Sequence, residues 1–310
     1  MSPSTSRAAL ASVIFAVVVL FAATTVSANV YHATRRNRAE QQYEAGLKLE
    51  SAGRNSEAAD DFRTALVYEH DQPEYRMALA KSLIALGDFD EAETHLTDLH
   101  EADPANGPVD FMLARIAVEE HADADAIEDY HRAIYGFWPD HAEQHHVEAR
   151  FELIQVLERD HQQKQLLTEL LELAGELPDS DVENRLKVAS LLLSHGSPEH
   201  AAEEFGGIAT AHPSNAAAQQ GLGEARFQLG DFLAARAAFH VAARIEPANA
   251  EIRQRIEECD MVIDLDPTLV RLSANQRFER AQELLRQSLN SAERCGAVSA
   301  AMSAEAAKAL

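Results

Sequence analysis

The feature that most constrains the fold is an internal repeat of about 34 residues. Six repeats start at positions separated by 34, 34, 40, 35 and 34 residues. They occupy residues 39–72, 73–106, 107–146, 147–181, 182–215 and 216–249. One such repeat is too small to bury a core alone, so we expect a tandem array in which neighbouring repeats stack.

Within each repeat, the apolar residues predict two helices, A and B, joined by a turn. Counting the first residue as offset 1, small or apolar residues recur at offsets 7, 8 and 11, then at 20, 24 and 27. Neighbours three or four residues apart share one helix face, so each set forms a buried face. Small residues at offsets 8 and 20 let the two helices approach closely. Glycine at offset 15 in four repeats permits a left-handed turn, and proline near offset 32 ends helix B in most repeats.

The second repeat shows the pattern most completely, with Leu79, Ala80, Leu83, Gly87, Ala92, Leu96, Leu99 and Pro104. This pattern resembles the tetratricopeptide repeat family, whose units read L-G-x-x-Y, then A-x-x-x-F, then P. The departures are the family's tryptophan at offset 4, which is absent from all six repeats, and bulky Ile154 and Leu166 in the fourth. The resemblance implies an all-α, right-handed superhelical solenoid, of the kind found in membrane-anchored bacterial repeat proteins.

Two regions outside the regular period also carry structural signals. Six extra residues before the fourth repeat, around 136–146, predict a longer loop or an extended helix start. Residues 250–295 predict capping helices, the second opening at the capping-box pair Ser273 and Gln276 and ending before Gly296. Residues 296–310 are rich in alanine and serine and predict a flexible tail.

The N-terminal segment, residues 8–30, contains no charged residue. About 20 apolar residues suffice to cross a bilayer, so we predict a transmembrane signal anchor between a tail at residues 1–7 and a basic linker at residues 31–38. The alternative is a signal peptide cleaved after Ala28, which would release a secreted, periplasmic module. Arg35, Arg36 and Arg38 outnumber Arg7, and this excess favours a single-pass protein with its repeats on the cytoplasmic side.

The charge of the chain excludes one class of partner. The net charge is −24, and residues 39–310 hold 23 basic against 51 acidic residues. Such a surface repels phosphate backbones, so we do not expect nucleic-acid binding. The acidity fits a basic partner, or it serves solubility alone.

The resemblance also implies a binding groove lined by helix A at offsets 2, 5, 9 and 12. At offsets 5, 9 and 12 the candidate groove residues are Tyr43, Leu47, Met77, Lys81, Phe111, Arg115, Phe151, Leu186 and Phe227. Ile84, Val118, Gln155 and Leu193 extend the set, and offset 2 adds an acidic rim of Glu40, Glu74, Glu148 and Glu183. Some family members hold a peptide carboxylate with a clamp of Lys and Asn at offsets 5 and 9. No repeat of this chain has that clamp. We therefore expect a protein partner with an amphipathic or apolar segment, unless the protein itself covers these side chains.

Catalysis and cofactors are not expected. No nucleotide-binding, nucleophile-elbow or metalloprotease motif is present, and Cys259 and Cys295 stand in no C-x-x-C arrangement. His141 and His145 lie one helical turn apart, a spacing that can hold a metal, but no third ligand is fixed by the spacing. Metal binding through these histidines is the weaker alternative to protein binding.

Overall fold

The computed structural model describes residues 3–269 and 272–294, with side chains described from 20 to 269 and from 272 to 292. Within these residues the chain is helical and has no strand, which confirms the predicted all-α class. The helices are α1 (Pro3–Ser51), α2 (Asn55–Tyr68), α3 (Pro73–Leu86), α4 (Phe89–Ala102), α5 (Gly107–Glu119), α6 (Asp123–Tyr135), α7 (Ala142–Arg159), α8 (Gln163–Glu176), α9 (Val182–Ser194), α10 (Pro198–Ala211), α11 (Ala216–Gln228), α12 (Phe232–Ile245), α13 (Ala250–Leu265) and α14 (Ala274–Arg294).

The helices group into two compact units, Met1–His161 and Gln162–Leu310. In the N-terminal unit each of α1 to α6 packs on the helix that follows it, and in the C-terminal unit α8 to α13 do the same. Four helices begin on the first residue of a repeat: α3, α5, α9 and α11. The boundary between the units falls between α7 and α8, inside the fourth repeat.

In the first and sixth repeats, helices A and B make a close contact where a glycine faces an aromatic ring. A Cβ atom added to Gly46 would lie 2.5 Å from the ring of Phe62, and one added to Gly223 would lie 2.6 Å from the ring of Phe239. Both rings are fully buried. Each glycine occupies offset 8 and each ring offset 24, so this contact sets the distance between the paired helices.

The turn between helices A and B is left-handed in every repeat, whatever residue occupies it. Glycine holds offset 15 in four repeats, with φ between 73° and 81°. His121 and His161 take the same position in the third and fourth repeats, with φ of 60° and 58°. The sequence pattern predicted the glycine turns but not the two histidine turns.

The insertion before the fourth repeat forms both a loop and a longer helix. The backbone N–H of Phe137 donates to the Ala105 carbonyl at 2.6 Å, and that of Gly107 donates to the Phe137 carbonyl at 3.0 Å. The indole N–H of Trp138 donates to the Ala133 carbonyl at 2.8 Å, and its ring covers Gly107. Helix α7 then starts at Ala142.

Helix α1 is continuous from Pro3 to Ser51, so residues 31–38, which we predicted to be a linker, are helical. Arginine is a good helix former, and Arg35 also donates to the Val67 and Tyr68 carbonyls at 3.1 and 2.5 Å, binding the C-terminus of α2. Among the described residues, no helix is long and apolar enough to cross a membrane. Residues 8–19 of the predicted anchor lie outside the residues whose side chains are described.

The C-terminal helices follow the predicted capping signal. The backbone N–H of Ser273 donates to Gln276 Oε1 at 2.9 Å, and that of Gln276 donates to Ser273 Oγ at 3.3 Å, at the start of α14. Cys259 is buried in α13, and burial raises the pKa of its thiol. Cys295 and the predicted tail lie outside the described residues.

A buried carboxylate links the second repeat to the third. Asp110 on α5 is fully buried and accepts a hydrogen bond from His100 Nδ1 on α4 at 2.7 Å. Arg132 Nε on α6 lies 3.7 Å from the same oxygen, while Asp110 Oδ2 has no hydrogen-bond partner. Burial raises the pKa of Asp110, although His100 and Arg132 oppose the shift.

The glycine–ring contact predicts the effect of adding one methyl group. Gly223→Ala should lower the free energy of unfolding by about 1–3 kcal/mol, because the buried Phe239 ring has no room to move. Gly175→Ala is the matched control, since nothing lies within 4 Å of its added Cβ atom. The control should be neutral or stabilising by up to about 1 kcal/mol, the helix preference of alanine. Urea denaturation of both variants measures the difference; equal stability would contradict the close approach.

Asp110 predicts a second, pH-dependent effect. Because the folded protein raises the pKa of Asp110, the folded state binds this proton more tightly than the unfolded state. The wild type should therefore lose stability relative to Asp110→Asn as pH rises from about 4, the unfolded value, through the folded pKa. Urea denaturation at about pH 4 to pH 8 measures this difference in the free energy of unfolding. The exposed residue Asp140 supplies the control, Asp140→Asn. A stability difference that does not vary with pH would contradict the assignment.

Candidate functional site

A cavity of about 610 Å³ opens in the N-terminal unit, with walls from α3 to α7. It is lined by Ile84, Phe89, Arg115, Val118, Glu119, Tyr130, Glu152, Gln155, Val156 and Arg159. Four of these residues, Ile84, Arg115, Val118 and Gln155, hold offsets 9 or 12 of helix A. The structure thus brings together groove positions from three consecutive repeats.

Arg115 is held in place on one wall of this cavity. Its Nε and Nη2 donate to Glu152 at 3.0 and 2.6 Å, and Nη2 also donates to Glu148 at 2.8 Å. Its guanidinium lies 4.1 Å from the centre of the Phe111 ring. These partners, Glu152 first, raise the pKa of Arg115 and fix its orientation.

Tyr130 forms the other polar contact in the cavity. Its hydroxyl donates to Glu152 Oε2 at 2.8 Å, and its side chain is 2% exposed. Burial, followed by the charge of Glu152, raises the pKa of Tyr130, which keeps the hydroxyl protonated as a donor. Glu152 therefore accepts from two neighbours, and the polar groups here are engaged in holding one another.

The cavity combines apolar walls with two arginines and two glutamates, and Glu148 and Asp123 just outside it pair with those arginines. Ile84, Phe89, Val118 and Val156 supply apolar surface. Arg115 is paired with two glutamates, and Arg159 is paired with Asp123, with Nε 3.3 Å from Oδ2. Glu119 is exposed and forms no ion pair with any described residue. A basic group next to an apolar side chain would complement this surface.

Phe111 and Phe151 differ from the sequence-based expectation of an open groove. They are 6% and 7% exposed. Phe111 is enclosed by Tyr130 and Trp138, whose ring centres lie 6.0 and 5.7 Å away. The inserted loop supplies Trp138, so the third repeat covers its own offset 5, and neither phenylalanine lines the cavity.

The remaining predicted groove residues of the N-terminal unit lie apart from the cavity. Tyr43 stacks near Tyr75, with ring centres 4.6 Å apart, and Met77 is half-buried against the core. Leu47 and Lys81 are exposed. These residues offer an open surface but no enclosed site.

In the C-terminal unit, Leu186 and Phe227 are used mainly in packing. Leu186 is half-buried against a cluster that contains Ile208 and Ala218. Phe227 meets Phe232 edge-on at 5.2 Å, and the guanidinium of Arg255 lies 5.0 Å from its centre.

Of the two histidines proposed as metal ligands, His145 packs against the side chain of Trp138. His145 stacks on Trp138, with ring centres 4.3 Å apart, while His141 is exposed. In the described part of the chain, no group of three or more His, Cys, Asp or Glu side chains has the geometry to hold a metal ion. His145 thus contributes to the packing of the inserted loop.

Comparison with known proteins identifies the repeats. Residues 49–106 and residues 186–250 each match a family model described as tetratricopeptide repeat. No curated protein matches the sequence.

Three solved structures similar to this chain are YrrB, PilF and a protein from Parabacteroides merdae. YrrB, described as a TPR protein with an unusual peptide-binding site, is 18% identical, with 64% of this chain and 99% of that chain covered and a TM-score of 0.46. PilF of Pseudomonas aeruginosa is 16% identical, with coverage of 73% and 99% and a TM-score of 0.45. A tetratricopeptide repeat protein from Parabacteroides merdae is also 16% identical, with coverage of 88% and 98% and a TM-score of 0.45. At 16–18% identity, the binding partners of these three proteins are not assigned to this chain.

Proposed function

We propose that this chain, a tetratricopeptide repeat protein, is a non-catalytic scaffold that is anchored in a membrane and binds a protein partner through the helix A surface of its N-terminal unit. Tetratricopeptide repeats are in general protein-interaction modules, and the two family matches support that level of function. The partner surface and the anchor are the proposal.

The observation that carries the proposed binding site is the cavity bounded by Ile84, Arg115, Val118 and Gln155. Its volume of about 610 Å³ lies within the range of pockets that enclose a ligand group. Arg115 and Tyr130 are fixed by Glu152, so a partner would meet a wall that is already ordered. Such preorganisation lowers the entropy lost on binding.

The chemistry of the cavity specifies the partner segment. Apolar walls suit an apolar side chain, and exposed Glu119 in the cavity lining suits an adjacent lysine or arginine. We therefore expect an amphipathic helix or extended segment that places an apolar residue in the cavity and a basic residue at its rim.

The proposed anchor rests on residues 8–30, which hold no charge and are long enough to cross a bilayer. The downstream arginines favour a cytoplasmic location for the repeats. The alternative is a secreted periplasmic module that has lost residues 1–28. N-terminal sequencing of the native protein separates the two: Met1 or Ser2 at the start supports the anchor, and Asn29 supports cleavage.

Metal binding through His141 and His145 is the other alternative. His145 is stacked on Trp138, and the described residues hold no group of three or more His, Cys, Asp or Glu side chains that could bind a metal, so no observation favours this function over partner binding. Elemental analysis of the purified protein tests it directly, because stoichiometric metal would be detected.

A single substitution tests the proposed partner surface. Val118→Lys places an ammonium group on an apolar wall beside Arg115, and should reduce recovery of the crosslinked partner from cells by about tenfold or more, equivalent to about 1.4 kcal/mol. Val67→Lys is the matched control, because Val67 is 73% exposed on α2 and does not line the cavity. Circular dichroism checks that both variants fold. Equal recovery from both would contradict the assigned surface.

A further inference from the structure

The stretch of α1 just beyond the uncharged segment carries the only basic cluster at the N-terminus of an otherwise acidic chain. Residues 1–39 contain no Asp or Glu, and the first acidic residue is Glu40. Arg36 and Arg38 are exposed, and Tyr31 is 60% exposed. Neither arginine forms an ion pair with a described residue, whereas Arg63 and Arg115 elsewhere pair with glutamates.

The three arginines of this cluster do not play the same role. Arg35 is half-buried and donates to the two last carbonyls of α2, at 3.1 and 2.5 Å. A cation at a helix C-terminus satisfies unpaired carbonyls and complements the helix dipole. Arg35 therefore joins α1 to the first repeat, and Arg36 and Arg38 remain available to a partner.

The distances along the helix place these side chains within reach of one headgroup layer. If Val30 marks the end of the uncharged segment, Tyr31 lies about 1.5 Å beyond it and Arg36 and Arg38 about 9 and 12 Å beyond it. The polar layer on each side of a bilayer is roughly 5–8 Å thick. Tyrosine favours the boundary of this layer, and the two arginines reach its headgroups with their long side chains.

The angular positions favour a helix that crosses the headgroup layer over one that lies flat on it. Arg36 and Arg38 are two residues apart, so they project from α1 about 160° from each other. The exposed apolar residues before them, Leu20, Phe21, Val26 and Val30, likewise point to different sides. A helix lying in the interface needs one polar and one apolar face. Neither set of side chains forms such a face.

We propose that Arg36 and Arg38, together with Tyr31, form a collar on α1 that binds the headgroups of anionic lipids. This inference rests on the membrane anchor put forward above. Charge complementarity supports it, because the cytoplasmic leaflet is negatively charged and each basic residue near its surface attracts it.

The collar and the repeats act in opposite directions at the same surface. Residues 39–310 carry 51 acidic against 23 basic residues, so an anionic bilayer repels the repeat region. Glu40, about 15 Å beyond Val30, lies farther from the headgroup layer than either arginine, and its side chain is shorter than theirs. Because α1 continues without a break into the first repeat, the collar holds the helix at the surface and leaves the helix A surface open to partners.

The test uses the full chain with lipid vesicles and two separate readouts. Flotation with neutral phosphatidylcholine vesicles at about 1 M salt, where surface charges are screened, reports the anchor alone. Electron spin resonance of trace spin-labelled lipids in mixed phosphatidylcholine and phosphatidylglycerol vesicles then reports which lipid surrounds the helix. The wild type should prefer phosphatidylglycerol by about twofold or more. Arg36→Gln/Arg38→Gln should float equally well but show almost no preference.

The matched control is Arg244→Gln/Arg253→Gln, which removes two exposed arginines from the C-terminal unit and should keep the wild-type preference. If the wild type floats but does not prefer the anionic lipid, or if the collar variant keeps the preference, the collar is refuted and the anchor stands. If the wild type does not float with neutral vesicles, both the anchor and the collar are refuted.

Discussion

The small residue at offset 8 of helix A, facing a bulky side chain at offset 24 of helix B, is the contact on which the rest of the structure depends. Gly46 faces Phe62 and Gly223 faces Phe239, at distances that leave no space for a methyl group. In the third repeat Ala114 and Tyr130 hold the same two positions, and both are buried. Because interiors are packed closely, this contact fixes the separation of the paired helices and the register of the positions that face outward.

The cavity in the N-terminal unit is a direct consequence of that register. Tyr130 holds offset 24 and is buried, and its hydroxyl donates to Glu152 on α7 at 2.8 Å. Glu152 in turn orients Arg115 on α5, so one buried tyrosine links the packing of the third repeat to the shape of the proposed binding site. Arg35 on α1 has a similar linking function, because it donates to the carbonyls at the end of α2. Packing and the proposed binding surface therefore use the same side chains.

The repeat period was sufficient to predict the helical class and the glycine turns, because both depend on residues at fixed offsets. It also selected Arg115 and Val118, which line the cavity, and the binding role of these residues stays a prediction. It failed where a residue acts outside the period. Trp138 belongs to the insertion, and its ring helps to enclose Phe111, which the offset alone placed on an open groove. His121 and His161 adopt left-handed backbone angles that only the surrounding helices impose. The predicted basic linker at residues 31–38 was assigned no secondary structure from the sequence, and these residues form part of α1.

Site-specific photocrosslinking in intact cells tests the central claim, partner binding at the helix A surface, most directly. A photoreactive residue replaces Gln155, which is exposed and lines the cavity, or Gln144, which is exposed on the same helix and does not. The account predicts a discrete protein adduct from position 155 and little or none from position 144. No adduct at position 155, or adducts of equal yield at both positions, would contradict it.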